Sequence, residues 1–281
     1  MNLSNIYGPR PEWAHKGNFG NVLVVCGSKL YSGAATLAAS AALRAGADMV
    51  TVAAPMRAAE VAAQAMPDLM TYPLKGDYVA RRHLNDVFDL VHVRHINSVV
   101  MGCGLGRHNS TVNTVKKLIT KLTIPMVLDA DALYAISTNP DVVYGKHVIL
   151  TPHAGELAVL LGARKVSSNF EERLAGAKQA AQKYRAIVLL KGHVDIITDG
   201  ANTITNNTGT AYMTKGGFGD TLSGIVAALL ARGVGLFEAA HVGAYINGKA
   251  GEMASKQFGE GLAASDSFDF IPQVIGASSV Y

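Results

Sequence analysis

Short runs of β-branched and aliphatic residues recur along this chain, each closed by glycine or proline and followed by a stretch with helical spacing. Residues 22–26 form the first run, stopped by Gly27-Ser28, and the alanine-rich stretch 34–45 follows as a helix with Gly46 as its stop. The strand pattern returns at 49–53, ended by Pro55, and at 98–101, 125–128, 147–150 and 187–190. Strand, glycine loop and helix in succession predict parallel βαβ units. Between 194 and 205 the grammar changes: two short β-branched runs, 194–198 and 203–205, flank the turn Asp199-Gly200 and read as a hairpin. The sheet is therefore expected to be mixed. Two helices close the pattern, 219–232 with Gly233 as its stop, and 237–256.

No internal repeat, low-complexity segment or linker interrupts this order, so one α/β domain over residues 1–281 is expected. Apolar residues make up 49% and charged residues 16%, enough for a sizeable core and too apolar for a disordered chain. The net charge of +4 comes without a dense basic run, since Arg81-Arg82 and Lys116-Lys117 are isolated pairs; nucleic acid is not an expected partner. Cys26 and Cys103 each end a strand-like run and read as buried free thiols rather than a disulfide framework. The N-terminus has no secretory pattern, and no window approaches the roughly 20 apolar residues of a spanning helix. A cytoplasmic protein with no membrane partner is expected.

The strongest local chemistry lies at Lys215-Gly216-Gly217-Phe218-Gly219-Asp220. Leu222, Ile225, Val226, Leu229 and Leu230 just after it have the spacing of one buried helix face, so the glycines stand at a helix N-terminus. Unpaired first-turn N–H groups and the helix dipole suit a phosphate there. Asp220 is open to two readings: a helix cap, or a base that takes a proton from a substrate hydroxyl while the N–H groups hold the phosphoryl group. The order of residues is not that of a Walker A loop, in which Lys follows the glycines, and Gly102-Cys103-Gly104-Leu105-Gly106 is not G-x-G-x-x-G.

Taken in order, His15-Lys16-Gly17, Gly27-Ser28, Tyr31-Ser32-Gly33-Ala34, Gly102 to Gly106, Asp129-Ala130-Asp131, Thr151-Pro152-His153-Ala154-Gly155-Glu156, Lys191-Gly192-His193 and the glycine turn resemble one family. It is that of the ADP/ATP-dependent NAD(P)H-hydrate dehydratases, within the ribokinase-like superfamily. The resemblance implies an α/β three-layer sandwich, a mostly parallel sheet with helices on both faces, and a lyase activity in metabolite repair. The S-form of hydrated NADH or NADPH is phosphorylated on its added hydroxyl by ADP or ATP, phosphate leaves, and the dihydronicotinamide is restored. Mg²⁺ is implied as cofactor, a separate epimerase as partner, and a homo-oligomer as the assembly. The resemblance includes no epimerase domain ahead of the first βαβ unit.

Carried over by motif, Asp220 is the general base and the N–H groups of the turn, those of Gly217 and Gly219 among them, form the anion hole. Ala34, Gly104, His153 and Asp220 face the hydrated nucleotide; Lys191, Gly192, His193, Val194, Asp195 and Gly219 contact the adenine nucleotide; Glu156 holds Mg²⁺ through water. Plainer roles stand beside these. Lys191 reads equally as a solvated strand-end lysine, His153 as a local hydrogen-bonding residue, Glu156 as a first-turn helix carboxylate, and Ala34 and Gly104 as close-packing positions. Asp129 and Asp131 stay outside the catalytic set, because one of them serves equally as a cap. Phe218 departs from the small or polar residue more usual in such a turn. Two other functions remain open at this point: a small-alcohol kinase such as hydroxyethylthiazole or hydroxymethylpyrimidine kinase, and a nucleotide-binding sensor without turnover.

Overall fold

The computed structural model describes residues 1–279. Among them nine strands form one sheet in the order β3-β2-β1-β4-β5-β6-β7-β8-β9. The strands are β1 (Asn21–Val25), β2 (Met49–Pro55), β3 (Met70–Leu74), β4 (Ser98–Met101), β5 (Met126–Leu128), β6 (Val148–Leu150), β7 (Ile187–Leu190), β8 (Asp195–Thr198) and β9 (Thr203–Asn206). Strands β1 to β7 are parallel, and β7, β8 and β9 pair antiparallel, which gives the expected mixed sheet.

Strand alternation sends side chains to both faces, and both are buried. Val22 and Val24 of β1 pack into one core while Leu23 and Val25 enter the other; Ile187 and Leu189 of β7 divide likewise from Val188 and Leu190. Burial on both faces is why these runs read as continuous apolar stretches. The first core receives α1 (Ala34–Arg44), α2 (Met56–Ala65), α8 (Phe218–Ala231), α9 (Leu236–Phe258) and α10 (Ile271–Ser278). The second receives α3 (Leu84–Val93), α4 (Asn109–Lys121), α5 (Asp131–Ser137), α6 (Ala154–Leu161) and α7 (Phe170–Tyr184). This is the three-layer α/β sandwich expected from the sequence.

Strand β3 was not foreseen. It contains Pro73, which lacks an N–H, and a proline is tolerated because β3 is the sheet edge with solvent on one side. No helix is long and apolar enough to cross a membrane among the described residues.

Helix α8 is the element that places the site. It is buried from Thr221 to Leu230, packed on β1, β4 and β5 with α1 and α9 beside it. Its approach to α1 depends on Gly224, where an added Cβ would stand 2.0 Å from the Ala38 carbonyl oxygen. The obstacle is backbone and cannot swing away. Gly224→Ala is expected to cost about 1–3 kcal/mol or more by overpacking, lowering Tm by about 2–4 °C per kcal/mol. Thermal unfolding checks this, and an unchanged Tm would remove the close helix contact.

Candidate active site

The strand order reverses at β1: its neighbours are β2 and β4, so the chain leaves in both directions from this point and opens a crevice at the strand C-termini. Gly27 N–H donates to the Cys103 carbonyl at 2.7 Å and ties the two loops at the crevice together. Gly102 has φ +126°, and a Cβ there would lie 1.9 Å from the Asp129 carbonyl oxygen, so only glycine lets the β4 and β5 ends approach. Ala34 and Gly104 meet each other: a Cβ on Gly104 would be 2.9 Å from that of Ala34 and 2.7 Å from that of Tyr31. Their small size is demanded by packing, whichever ligand they also face.

Gly217 is the residue before α8, in the left-handed region with φ +106°. A Cβ on it would press within 2.8 Å of Ala264 and Leu37. Among the described residues no protein acceptor takes the N–H groups of Gly216, Gly217, Phe218 or Gly219. The Phe218 side chain is buried against Ala254, Leu262 and Ala264 on the far side of the turn, so it anchors the turn rather than filling it. Lys215 donates to the Glu260 carbonyl. Asp220 is the third residue of α8, and no side chain caps this helix end. Its carboxylate serves no capping bond.

What surrounds Asp220 comes from distant parts of the chain. Asp129, at the end of β5 and only 2% exposed, accepts from Lys191 Nζ at 2.8 Å and from Ser223 Oγ at 3.0 Å. The Cys103 thiol lies 3.9 Å from Asp129 Oδ2, and the thiol and one oxygen each of Asp129 and Asp220 fall within 4.8 Å of one another. Burial first, and then the Asp129 charge, push the Asp220 carboxyl up from 3.8 to about 7, against the opposing pull of Cys103 and Lys191. For Lys191, burial works to discharge the ammonium, but Asp129 and Glu156 outweigh it and hold the group charged above its ordinary range. The Cys103 thiol is pushed well up by its hydrogen bond with Cys26, then by burial and the nearby carboxylates, and stays protonated.

The chain reaches Asp129 through a strained turn. Ala130 has φ +48° and ψ −115°, rare for a residue with a Cβ, and is held there by Ala132 N–H on the Asp129 carbonyl at 3.0 Å. The strain separates two aspartates with different duties. Asp131 turns away to hold Gly106 N–H at 2.8 Å and Arg107 Nε at 2.9 Å, while Asp129 joins the centre.

His153 caps α6: its Nδ1 accepts from Gly155 N–H at 2.9 Å and Glu156 N–H at 3.3 Å, and Glu156 Oε2 accepts from His153 N–H at 2.8 Å. The reciprocal pair fixes Glu156 with Oε2 3.8 Å from Lys191 Nζ. Lys191 N–H is bound to the Pro152 carbonyl at 2.8 Å, which joins the β6 and β7 ends. Beyond Lys191, Gly192 N–H donates to Asp195 Oδ1 at 2.9 Å, Asn206 holds Asp195 Oδ2 at 3.0 Å, and His193 is exposed. Burial raises the Asp195 carboxyl despite these bonds. Gly219 lies beside the ion pair, since a Cβ on it would be 3.2 Å from Lys191 Nζ and 3.5 Å from Asp129 Oδ2.

The structure thus brings Asp220, Gly217, Gly219, Lys191 and Glu156 to one end of the sheet with Asp129, Ser223 and Cys103, which the sequence reading left out of the site. Ser223 was findable, three residues after Asp220 on the same helix face. The place of Asp129 is not legible from its neighbours in the chain, because its partners stand 62 and 94 residues away.

Comparison with known proteins accords with this geometry. Residues 22–273 match the family model described as NAD(P)H-hydrate dehydratase. The bifunctional NAD(P)H-hydrate repair enzyme Nnr of Methanothermobacter thermautotrophicus is 41% identical over 277 residues, 97% of this chain and 53% of that protein. The chain spans about half the length of such bifunctional relatives. The ADP-dependent (S)-NAD(P)H-hydrate dehydratase of Cenarchaeum symbiosum is 35% identical over 263 residues, 93% of this chain and 90% of that protein. Among solved structures, the ADP/ATP-dependent NAD(P)H-hydrate dehydratase of Bacillus subtilis co-crystallized with ATP/Mg²⁺ superposes with a TM-score of 0.79 at 25% identity, covering 98% of this chain and 96% of that one. With the matched model running from the first strand into the last helix, the chain belongs to the NAD(P)H-hydrate dehydratase family.

Proposed function

We propose that this chain dehydrates the S-form of NADH or NADPH hydrate with ADP or ATP as phosphoryl donor. The observation that carries the reading is the Asp220 carboxyl, poised near pH 7 at the start of α8 beside unpaired N–H groups and the Lys191 ammonium. A base works best with a pKa near the working pH, ionised often enough to accept a proton yet strong enough to take one. Asp220 removes the proton from the hydrate hydroxyl as its oxygen bonds to the terminal phosphorus, and the bond from that phosphorus to the rest of the donor nucleotide breaks. The N–H groups of Gly217 and Gly219 and the Lys191 ammonium stabilise the charge on the phosphoryl oxygens. The C–O bond of the phosphate ester then breaks and inorganic phosphate leaves with the bonding pair from the carbon next to the ring nitrogen, whose electron pair assists, and loss of a proton from the adjacent ring carbon restores the double bond. Hydroxide is a poor leaving group, so activation of the hydroxyl is the step that needs the protein.

Ala34, Gly104 and His153 are assigned to the hydrate, and Lys191, Gly192, His193, Val194, Asp195 and Gly219 to the adenine nucleotide. The donor set also fits Mg²⁺. Asp129, Glu156 and Asp220 place three carboxylates around the single ammonium of Lys191, and a polyphosphate would add further negative charge. Glu156 offers hard oxygens and would hold the ion through water; Mg²⁺, when bound, neutralises phosphate charge. An epimerase that interconverts the hydrate epimers is the expected partner activity.

The test mixes the protein with Mg²⁺, ADP or ATP and freshly hydrated NADH and follows the dihydronicotinamide absorbance. Recovery is expected with at least one nucleotide, and its absence with both overturns the reading. Because Asp220 must be ionised to act, the rate is also expected to fall about tenfold per pH unit below about pH 7. A rate that stays flat down to pH 5 removes the raised Asp220 carboxyl as the group that sets the acid limb.

A further inference from the structure

Helix α7 runs back along the sheet before β7, so its N-terminal turn lies at the same end as the active site. Arg173, on the first full turn of α7, is buried, with 8% of its surface exposed. Its Nη2 donates to the carbonyl of Lys191 at 3.3 Å and to that of Val194 at 3.1 Å, spanning the segment just past β7. The guanidinium lies so close under Gly192 that a Cβ there would stand 2.2 Å from Nη2 and 2.8 Å from Cζ. Among the described residues, no carboxylate lies within ion-pair distance of Arg173. A buried cation is ordinarily paired, because leaving water without a counter-charge is costly. Among the described residues its hydrogen-bond acceptors are two carbonyl oxygens of one loop. The acidic group in that loop, Asp195, spends its hydrogen bonds on Gly192 N–H and Asn206 and feels the Arg173 charge without contact.

Two consequences follow from this arrangement. Drawing the Lys191 and Val194 carbonyls inward sets the path of the loop between them and so the aim of the Lys191 side chain, which leaves that loop toward Asp129. The charge also lies directly behind the segment, with Asp195 answering it at longer than ion-pair distance, so an anion arriving on the other side would add a second counter-charge.

We propose that Arg173 is a positioning residue for the phosphate-bearing nucleotide: it braces residues 191–195 through their carbonyls and supplies from behind the positive charge that an adenine nucleotide's phosphate answers. This rests on the assignment of that segment to the nucleotide. Gly192 belongs to the same device, since only glycine lets the guanidinium reach both carbonyls.

The experiment measures AMP affinity by calorimetry, together with the KM for NADH hydrate, in the wild type, Arg173→Met and Arg173→Lys. Arg173→Met is expected to weaken AMP binding tenfold or more with the hydrate KM within twofold, and Arg173→Lys, which keeps the charge, to recover part of the loss. AMP affinity within twofold of wild type in a folded Arg173→Met protein overturns the proposal, as does an equal loss of affinity for nucleotide and hydrate. Should Arg173→Met fail to fold, Arg173→Lys decides: a threefold or greater loss of AMP affinity with the hydrate KM unchanged supports the proposal, and wild-type affinity overturns it. A wild type that dehydrates the hydrate while the Arg173 variants bind AMP normally sinks this inference alone. A wild type that binds no adenine nucleotide sinks the assignment beneath it.

Discussion

Asp220→Asn is expected to lower hydrate dehydration by about a hundredfold or more, the size of a lost general base, with nucleotide affinity close to wild type. Asparagine keeps the shape of the side chain and cannot take the proton. The same substitution is expected to stabilise the fold, a combination that loss of structure cannot produce. The folded carboxyl titrates at about 7 and an unfolded one near 3.8, so between these values the folded chain holds a proton that the unfolded chain has released. The stability tied to this group is complete below about pH 4 and is lost as the pH rises through 7, when a charge must exist beside Asp129 in a dry site. Asparagine never takes that charge. At pH 8 the variant is expected to be more stable by about 2–4 kcal/mol, and by less at pH 5. Denaturant unfolding at the two pH values, read beside turnover, decides the matter. Retained turnover removes Asp220 from the mechanism, and a stability gap that does not widen with pH shows that its carboxyl titrates in the ordinary range.

Asp129→Asn attacks the same centre from the other side. It removes the close partner of Lys191 and leaves the ammonium, whose side chain is one-fifth exposed, with Glu156 at 3.8 Å as its carboxylate within ion-pair distance and Asp220 farther off. Breaking a largely buried pair by deleting one charge costs about 3 kcal/mol or more. The rate is expected to fall about ten- to a hundredfold, because the charge that should meet the phosphoryl group is drawn to Glu156. The acid limb of the pH profile should move as well, and toward lower pH. Asp129 is the largest charge effect raising the Asp220 carboxyl after burial, and Lys191, once released, favours the ionised form further. Turnover against pH for both proteins is the measurement. A limb that stays in place would mean that Asp129 acts on Lys191 only, and a wild-type rate would remove it from the site.

Much of this architecture is legible in the residue order because its elements are local. A strand buried on both faces must be a short apolar run, so β1, β4 and β7 could be read almost to the residue. The turn 215–220 followed by helical spacing could mean only a helix start. Strand β3 escaped because an edge strand with Pro73 lacks the pattern of a buried one. His153 and Glu156 were open to local and functional readings alike, and the structure shows why: the same bonds that cap α6 also fix the Glu156 carboxylate beside Lys191. Phe218 could not be oriented from its neighbours in the chain, since its packing partners Ala254, Leu262 and Ala264 arrive from α9 and beyond.

By itself, then, the sequence determined a mostly parallel α/β chain with one hairpin ahead of its last helices, an anion-binding turn with a carboxylate at a helix start, and through its ordered motifs the family. Only the tertiary structure decided that β4 pairs with β1 and opens the crevice there. It alone freed Asp220 from capping and set Asp129, Lys191 and Ser223 around it. The physical reason is range: periodicity and glycine act over a few residues, whereas a shifted carboxyl is made by burial and by charges that the fold carries in from 62 and 94 residues away.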